Sequence, residues 1–403
     1  MRSATHAHGE RPRIGFYHPY PHRMGGSQQV ALILARHLPA TGYEPVMICP
    51  EDGRFTTAAR DAGIEVLICP PGASWRVYGR GHDGIGGWIS PRHVRELVGY
   101  WFKLRTALRE HRIALLHCHN VRAVIMAARA GQLAGVPTLW HVHGAPPNGA
   151  AGWLASMLAL AAQHSVFVSE GMLDYWPRRG WVHRSRHVIH NGIDDVALAT
   201  PLKRDLPRPL IVVVGSLSPV KGQDRLLAAL PAVLRQIPNA QCWLVGQDWA
   251  DGTYERRLRT LVEELGLVGS VDFLGERTDV SQIIAASDCV VIPSRSESFG
   301  MVAVEAMAQR KVVVAAATGG LRDIVIDGET GFLVSAEQPH AIAAAVVRVL
   351  VDRRLASRMG EVARRRALDS FSATAMSRRF ADLYNNILGH RASNERGMES
   401  AAS

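Results

Sequence analysis

The stretch Cys289-Val-Val-Ile-Pro293-Ser294-Arg295-Ser-Glu297-Ser-Phe299-Gly300-Met301-Val302-Ala-Val-Glu305-Ala-Met307 decides the fold class. A short β-branched run gives way to a loop of small residues and then to a helical pattern that starts near Phe299-Gly300. That is a strand–loop–helix unit, and the free amides of such a helix's first turn form an anion site suited to a pyrophosphate. If the whole segment were helical, Glu297 and Glu305 would stand about 12 Å apart, enough to flank a diphosphate and reach different hydroxyl-bearing groups. A plainer reading also stands, in which Glu297 caps the helix and Glu305 is an ordinary surface residue.

Similar units recur on both sides. Strand-like runs at 14–17, 45–49, 65–69, 115–118, 138–142, 165–168 and 187–189 alternate with helical segments at 27–38, 55–62, 91–110 and 123–133. A charged, proline-rich stretch at 200–209 reads as a linker, after which strands at 210–214, 241–245, 271–274, 289–292 and 312–315 alternate with helices again. The expected fold class is α/β, with two doubly wound Rossmann-like domains facing across a cleft. The expected limits are 1–200 for an N-terminal domain, 201–370 for a C-terminal domain and 371–403 for a helix and tail packing back on the first. The last helix is read at 372–388 and the final dozen residues as a frayed tail.

A chain of 403 residues has room for two sizeable cores, and 47% hydrophobic with 20% charged residues is ordinary globular composition. Disulfide-dependent miniproteins, disordered chains, collagens and coiled coils are thereby excluded. Five cysteines form no C-x-x-C pair and sit in or beside apolar runs, which predicts buried thiols and a cytoplasmic location. The polar first ten residues lack a signal-peptide core, and the longest apolar candidate, 150–162, is too short to span a bilayer. The formal net charge of +10 is unevenly divided: residues 1–200 carry 21 basic and 13 acidic side chains, residues 201–403 carry 25 and 23. The segment 91–112 sets Trp101, Phe102, Leu104 and Leu108 among six basic residues, a pattern shared by helices lying on anionic lipid and by packed helices with a solvated basic face. No nucleic-acid-binding signature accompanies the charge.

Three further motifs sit in strand-to-helix loops. Val214-Gly215-Ser216-Leu-Ser-Pro-Val-Lys221-Gly222 joins a glycine, which lets a phosphate approach the backbone, to one of only four lysines in the chain. His22-Arg-Met-Gly25-Gly26-Ser27 precedes a helix, with Ser27 as its expected cap. His117/His119 and His141/His143 are alternating pairs at strand ends; a four-histidine metal site is conceivable, and a single ligand-facing histidine is the preferred reading.

In order and spacing, these motifs, together with Val142-His-Gly144, His187-Val-Ile-His-Asn191-Gly-Ile-Asp194 and Phe273-Leu-Gly275, resemble the GT-B fold glycosyltransferases of family 4, a retaining group. The resemblance runs from about residue 13 to 388 and is most specific in the second half. It implies transfer of a hexose-type sugar from a nucleotide-diphosphate sugar to an acceptor hydroxyl, in bacterial glycan, glycolipid or glycosylated-metabolite synthesis. Glu305 would hold the ribose hydroxyls. Gly215, Ser216 and the Phe299, Gly300, Met301 and Val302 amides would bind the diphosphate and sugar, Lys221 would neutralise the leaving group, Glu297 would hold sugar hydroxyls, and His119 would face the transferred sugar. Gly25 and Gly26 would form an acceptor or phosphate loop. The chain has no Asp-x-Asp, so no metal and no cofactor are expected. Ser216 stands where family members often carry arginine, which leaves its charge to Lys221, Arg295 or another arginine. Expected partners are the donor and a lipid-linked or small-molecule acceptor, with peripheral contact of the N-terminal domain on an anionic inner membrane face and no nucleic acid. A nucleotide-sugar epimerase and a non-catalytic membrane-surface protein are the competing classes.

Overall fold

The computed structural model describes residues 11–22, 24–76, 90–144, 157, 160–176, 185–194, 200–201 and 209–401, with side chains through residue 389 except at 175. Most of the proline-rich stretch at 200–209 and of the apolar run at 150–162 lies outside them, as do the first ten residues.

The central strands form where apolar residues run almost continuously, because a parallel strand inside the sheet is covered on both faces, while the edge strands are more polar and partly exposed. In the first unit the strands are β1 (Arg13–Tyr17), β2 (Glu44–Cys49), β3 (Glu65–Ile68), β4 (Ile113–His119), β5 (Thr138–Val142), β6 (His164–Phe167) and β7 (Ser185–Val188). They build one parallel sheet in the order β3-β2-β1-β4-β5-β6-β7. In the second unit β8 (Leu210–Val214), β9 (Gln241–Val245), β10 (Val271–Gly275), β11 (Cys289–Ile292), β12 (Val313–Ala316) and β13 (Gly331–Val334) pair in the order β10-β9-β8-β11-β12-β13. Both units are thus Rossmann-like α/β layers. The strand order reverses between β1 and β4 and between β8 and β11, the switch points where doubly wound sheets bind ligands.

The first compact unit comprises residues 1–168, 173–192 and 373–403, and the second 169–172 and 193–372. The helix Ala373–Ala401 therefore belongs to the first unit, and it continues through the residues expected to fray. There Phe380 packs on His117 at 5.2 Å, and Tyr43 donates a 2.7 Å hydrogen bond to Asn385. All five cysteines are buried free thiols, and burial raises their pKa values. Among the described residues no helix is long and apolar enough to cross a membrane.

Candidate functional site

In the second unit the loops after β8 and β11 leave adjacent strands at the switch point. Gly215 adopts φ 147°, open to glycine and few others, and the turn that follows carries Lys221. The Lys221 ammonium lies 2.6 Å from Glu297 Oε2, and the Ser294 hydroxyl donates to the same oxygen at 3.2 Å. Residues 76 positions apart are thereby joined into one polar centre.

The helix on this loop spans Met301–Ala308. Glu297 consequently lies on non-helical backbone, and the spacing of about 12 Å that an unbroken helix would give does not apply. Gly300 is the N-cap at φ 115°, where a β-carbon would stand 2.7 Å from Leu321 Cδ2. Strain and crowding both hold that position to glycine. Beyond it the first-turn amides of Met301 and Val302 have no acceptor four residues back, leaving them available to an anion. The Phe299 ring is buried against Phe371 at 5.9 Å and so is not presented to a ligand. Glu305 lies one turn further on and is half-buried. Burial raises its carboxyl pKa, and among the described residues no hydrogen bond or ion pair engages it. An unpaired, partly desolvated carboxyl is suited to accept hydroxyl hydrogens from a ligand.

Ser216 is half-buried and its carbonyl accepts from the Gln223 amide at 2.9 Å. Arg295 is already engaged: its guanidinium grips Asp224 at 2.8 and 2.6 Å and donates to the Pro219 carbonyl at 2.7 Å. Lys221 is therefore the cation beside Glu297. Sequence reasoning missed Ser294 and Asp224; Ser294 lay inside the quoted motif, whereas nothing local marked Asp224.

In the first unit the helix Gly26–His37 is capped at Gly25, since the Gln28 side chain reaches back to accept from the Gly25 amide at 3.2 Å. Ser27, the expected cap, instead lies 3.3 Å from His18 Nε2. Gly25 and Gly26 are exposed, and a β-carbon on Gly26 would meet nothing within 4 Å.

His119 ends β4 with its side chain fully buried. Its ring stacks on His117 at 4.5 Å, and its Nδ1 lies 3.0 Å from Nε2 of the half-buried His143. His117 Nδ1 lies 2.6 Å from the Tyr384 hydroxyl. Among the described residues His117 Nε2, His119 Nε2 and both His141 nitrogens have no hydrogen-bond partner. One ring nitrogen from each of His117, His119 and His141 lies within 4.8 Å of the others. A tetrahedral ion needs ligand nitrogens about 3.3 Å apart and sits in the plane of each ring at about 2.0–2.1 Å. The His117 and His119 rings are stacked with 7° between their planes, so one ion cannot lie in both. Burial lowers the pKa of His18 and of His143 to about 3 and that of His117, His119 and His141 well below the ordinary value, so the array is neutral.

Comparison with known proteins gives two family matches, Glycosyltransferase Family 4 over residues 24–196 and Glycosyl transferases group 1 over residues 199–366. A D-inositol 3-phosphate glycosyltransferase of Corynebacterium glutamicum is 36% identical over 196 residues, 47% of this chain and 47% of that protein. The chain spans about half the length of the first curated relatives it matches. A glycogen synthase of Mycobacterium tuberculosis is 25% identical over 386 residues, 90% of this chain and 91% of that one. Among solved structures, Anabaena HepE in complex with UDP and glucose superposes with a TM-score of 0.77 at 24% identity, over 93% of this chain and 100% of that chain. That likeness bears on the fold.

Proposed function

The chain belongs to the GT-B glycosyltransferases of family 4, and from that premise we propose that it transfers a hexose-type sugar from a nucleotide-diphosphate sugar to an acceptor hydroxyl, with retention at the anomeric carbon. The observation that carries this reading is the Lys221–Glu297 pair beside an open helix N-terminus and an unpaired Glu305. The first-turn amides of Met301 and Val302 receive the diphosphate and Lys221 neutralises the charge it gains. Glu305 accepts from the ribose hydroxyls, and Glu297 accepts from the sugar. The acceptor oxygen bonds to the anomeric carbon as the bond from that carbon to the phosphate oxygen breaks, and the acceptor proton passes to the departing phosphate. No protein nucleophile and no metal enters, so EDTA leaves turnover unchanged; loss of activity that a divalent ion restores would refute this.

The test is a panel of UDP-, GDP-, ADP- and dTDP-sugars followed by calorimetry and product analysis. One nucleotide class is expected to bind, and Glu305→Ala to weaken it by about tenfold or more, roughly 1.4 kcal/mol. Binding of none at millimolar concentration would overturn the proposal. Donor incubated alone distinguishes the epimerase reading, which requires an isomerised sugar.

The acceptor side carries a second expectation. The helix Pro91–Glu110 exposes Val94, Val98 and Phe102 beside Arg95 and Lys103, a face that suits an anionic lipid surface or lipid-linked acceptor. Sedimentation with acidic vesicles should exceed that with neutral ones, and Phe102→Ser should reduce it. Equal binding to both vesicle types would remove the membrane arm, with a small soluble acceptor as the remaining choice.

A further inference from the structure

Lys221 has a long, flexible side chain on a surface turn, yet its backbone is tied down unusually well. Its own amide and that of Gly222 both donate to the Ser218 carbonyl, at 3.0 and 3.4 Å. The two carbonyls before it are held by a single residue: the Arg295 amide donates to Val220 at 2.8 Å, and the Arg295 guanidinium to Pro219 at 2.7 Å. A β-carbon on Gly222 would stand 2.3 Å from the Pro293 carbonyl oxygen, so the turn lies directly against the strand-exit loop. The guanidinium is itself fixed, since Asp224 takes both of its terminal nitrogens and accepts from the Tyr254 hydroxyl at 2.6 Å. Burial opposes the Asp224 charge, but Arg295 and Tyr254 together hold its carboxyl below the usual range.

We propose that Arg295, gripped by Asp224 and Tyr254, is the positioning residue for Lys221, holding the 219–222 turn so that the ammonium stands beside Glu297. The assembly rests on the transferase reading and extends it to residues that touch neither substrate nor the reacting atoms. The Arg295 side chain is 39% exposed, and an ion pair so open to water contributes little to stability. Its geometric work is larger. A planar fork with five donors reaches a carbonyl and two carboxylate oxygens together, which a lysine ammonium does not reproduce.

The experiment is a double-mutant cycle of Arg295→Ala and Lys221→Ala, assayed with the donor found in the panel. Arg295→Ala alone should lower kcat roughly 10–100-fold, the scale of a misplaced catalytic group, with little change in KM or melting temperature. Arg295→Lys should recover only part of the loss. In the Lys221→Ala background, Arg295→Ala should cost almost nothing, because its effect runs through the lysine. Full additivity, or a loss confined to nucleotide affinity, would overturn the proposal by making Arg295 an independent phosphate ligand. If the wild type acts on no donor, the transferase reading fails instead. The positioning claim is then read from hydrogen exchange at the 220–222 amides, which quickens in Arg295→Ala if the claim holds and stays at the wild-type rate if it does not.

Discussion

Lys221→Ala lowers sugar transfer by about 10²–10³-fold or more while the fold stays intact, the loss typical of removing one preorganised charge from a developing anion. Lys221 is the cation paired with Glu297, at 2.6 Å, and Arg295 is bound to Asp224, so Arg295 does not take over the departing diphosphate. Glu297→Ala should abolish transfer as well, since it removes both the lysine's partner and the acceptor for sugar hydroxyls. Glu297→Gln separates the two roles: the amide oxygen still accepts from Lys221 and Ser294, but the charge is gone. Single-turnover measurements on each variant, with circular dichroism to confirm folding, provide the check. Wild-type turnover in Lys221→Ala or Glu297→Ala would sink the site assignment.

Acid unfolding of the first unit is the second large effect. His18, His117, His119 and His141 are fully buried, and burial lowers all four pKa values, that of His18 to about 3. In the unfolded chain each returns to about 6.5. Above that pH neither state binds these protons and stability is at its plateau. As pH falls through 6.5 the unfolded chain takes up protons that the folded unit refuses, and stability drops by about 1.4 kcal/mol per pH unit for each histidine. Four together give roughly 5 kcal/mol per unit, a large part of the stability of a whole domain. Denaturant titrations at pH 8, 6.5 and 5.5, followed by the fluorescence of buried Trp140 and Trp176, should show a steep fall over the last step. A flat profile would mean that the rings are hydrated and protonate freely.

The central strands of both sheets were legible because they are buried on both faces and so read as unbroken apolar runs, as in Leu210–Val214 and Cys289–Ile292. β13 escaped notice because Gly331–Val334 is four residues long and opens on glycine. Lys221, Glu297 and Glu305 were legible because strand-to-helix loops of an α/β sheet collect ligand-binding groups. What joins them was not. The Asp224–Arg295 pair spans 71 positions, and only the β8–β11 adjacency brings its members together. Local pattern likewise favoured Ser27 as a cap, whereas Gln28 reaches back to the Gly25 amide. It also gave no sign that His119 is fully buried, or that the half-buried His143 lies against it.

The helix Ala373–Ala401 sets the order in which the chain can mature during synthesis. His117 and Tyr384 meet across 267 positions, so β4 emerges from the ribosome long before the residues that cover one side of it. The second unit, nearly all of it in the uninterrupted stretch 193–372, is complete before that helix appears and can close first. The earlier-made unit must wait half-assembled, with His117 uncovered on one side, until residues 373–401 have been made. A nascent chain stalled before residue 373 is therefore expected to present a finished second unit and a first unit that calls on chaperones, even though the first was made earlier.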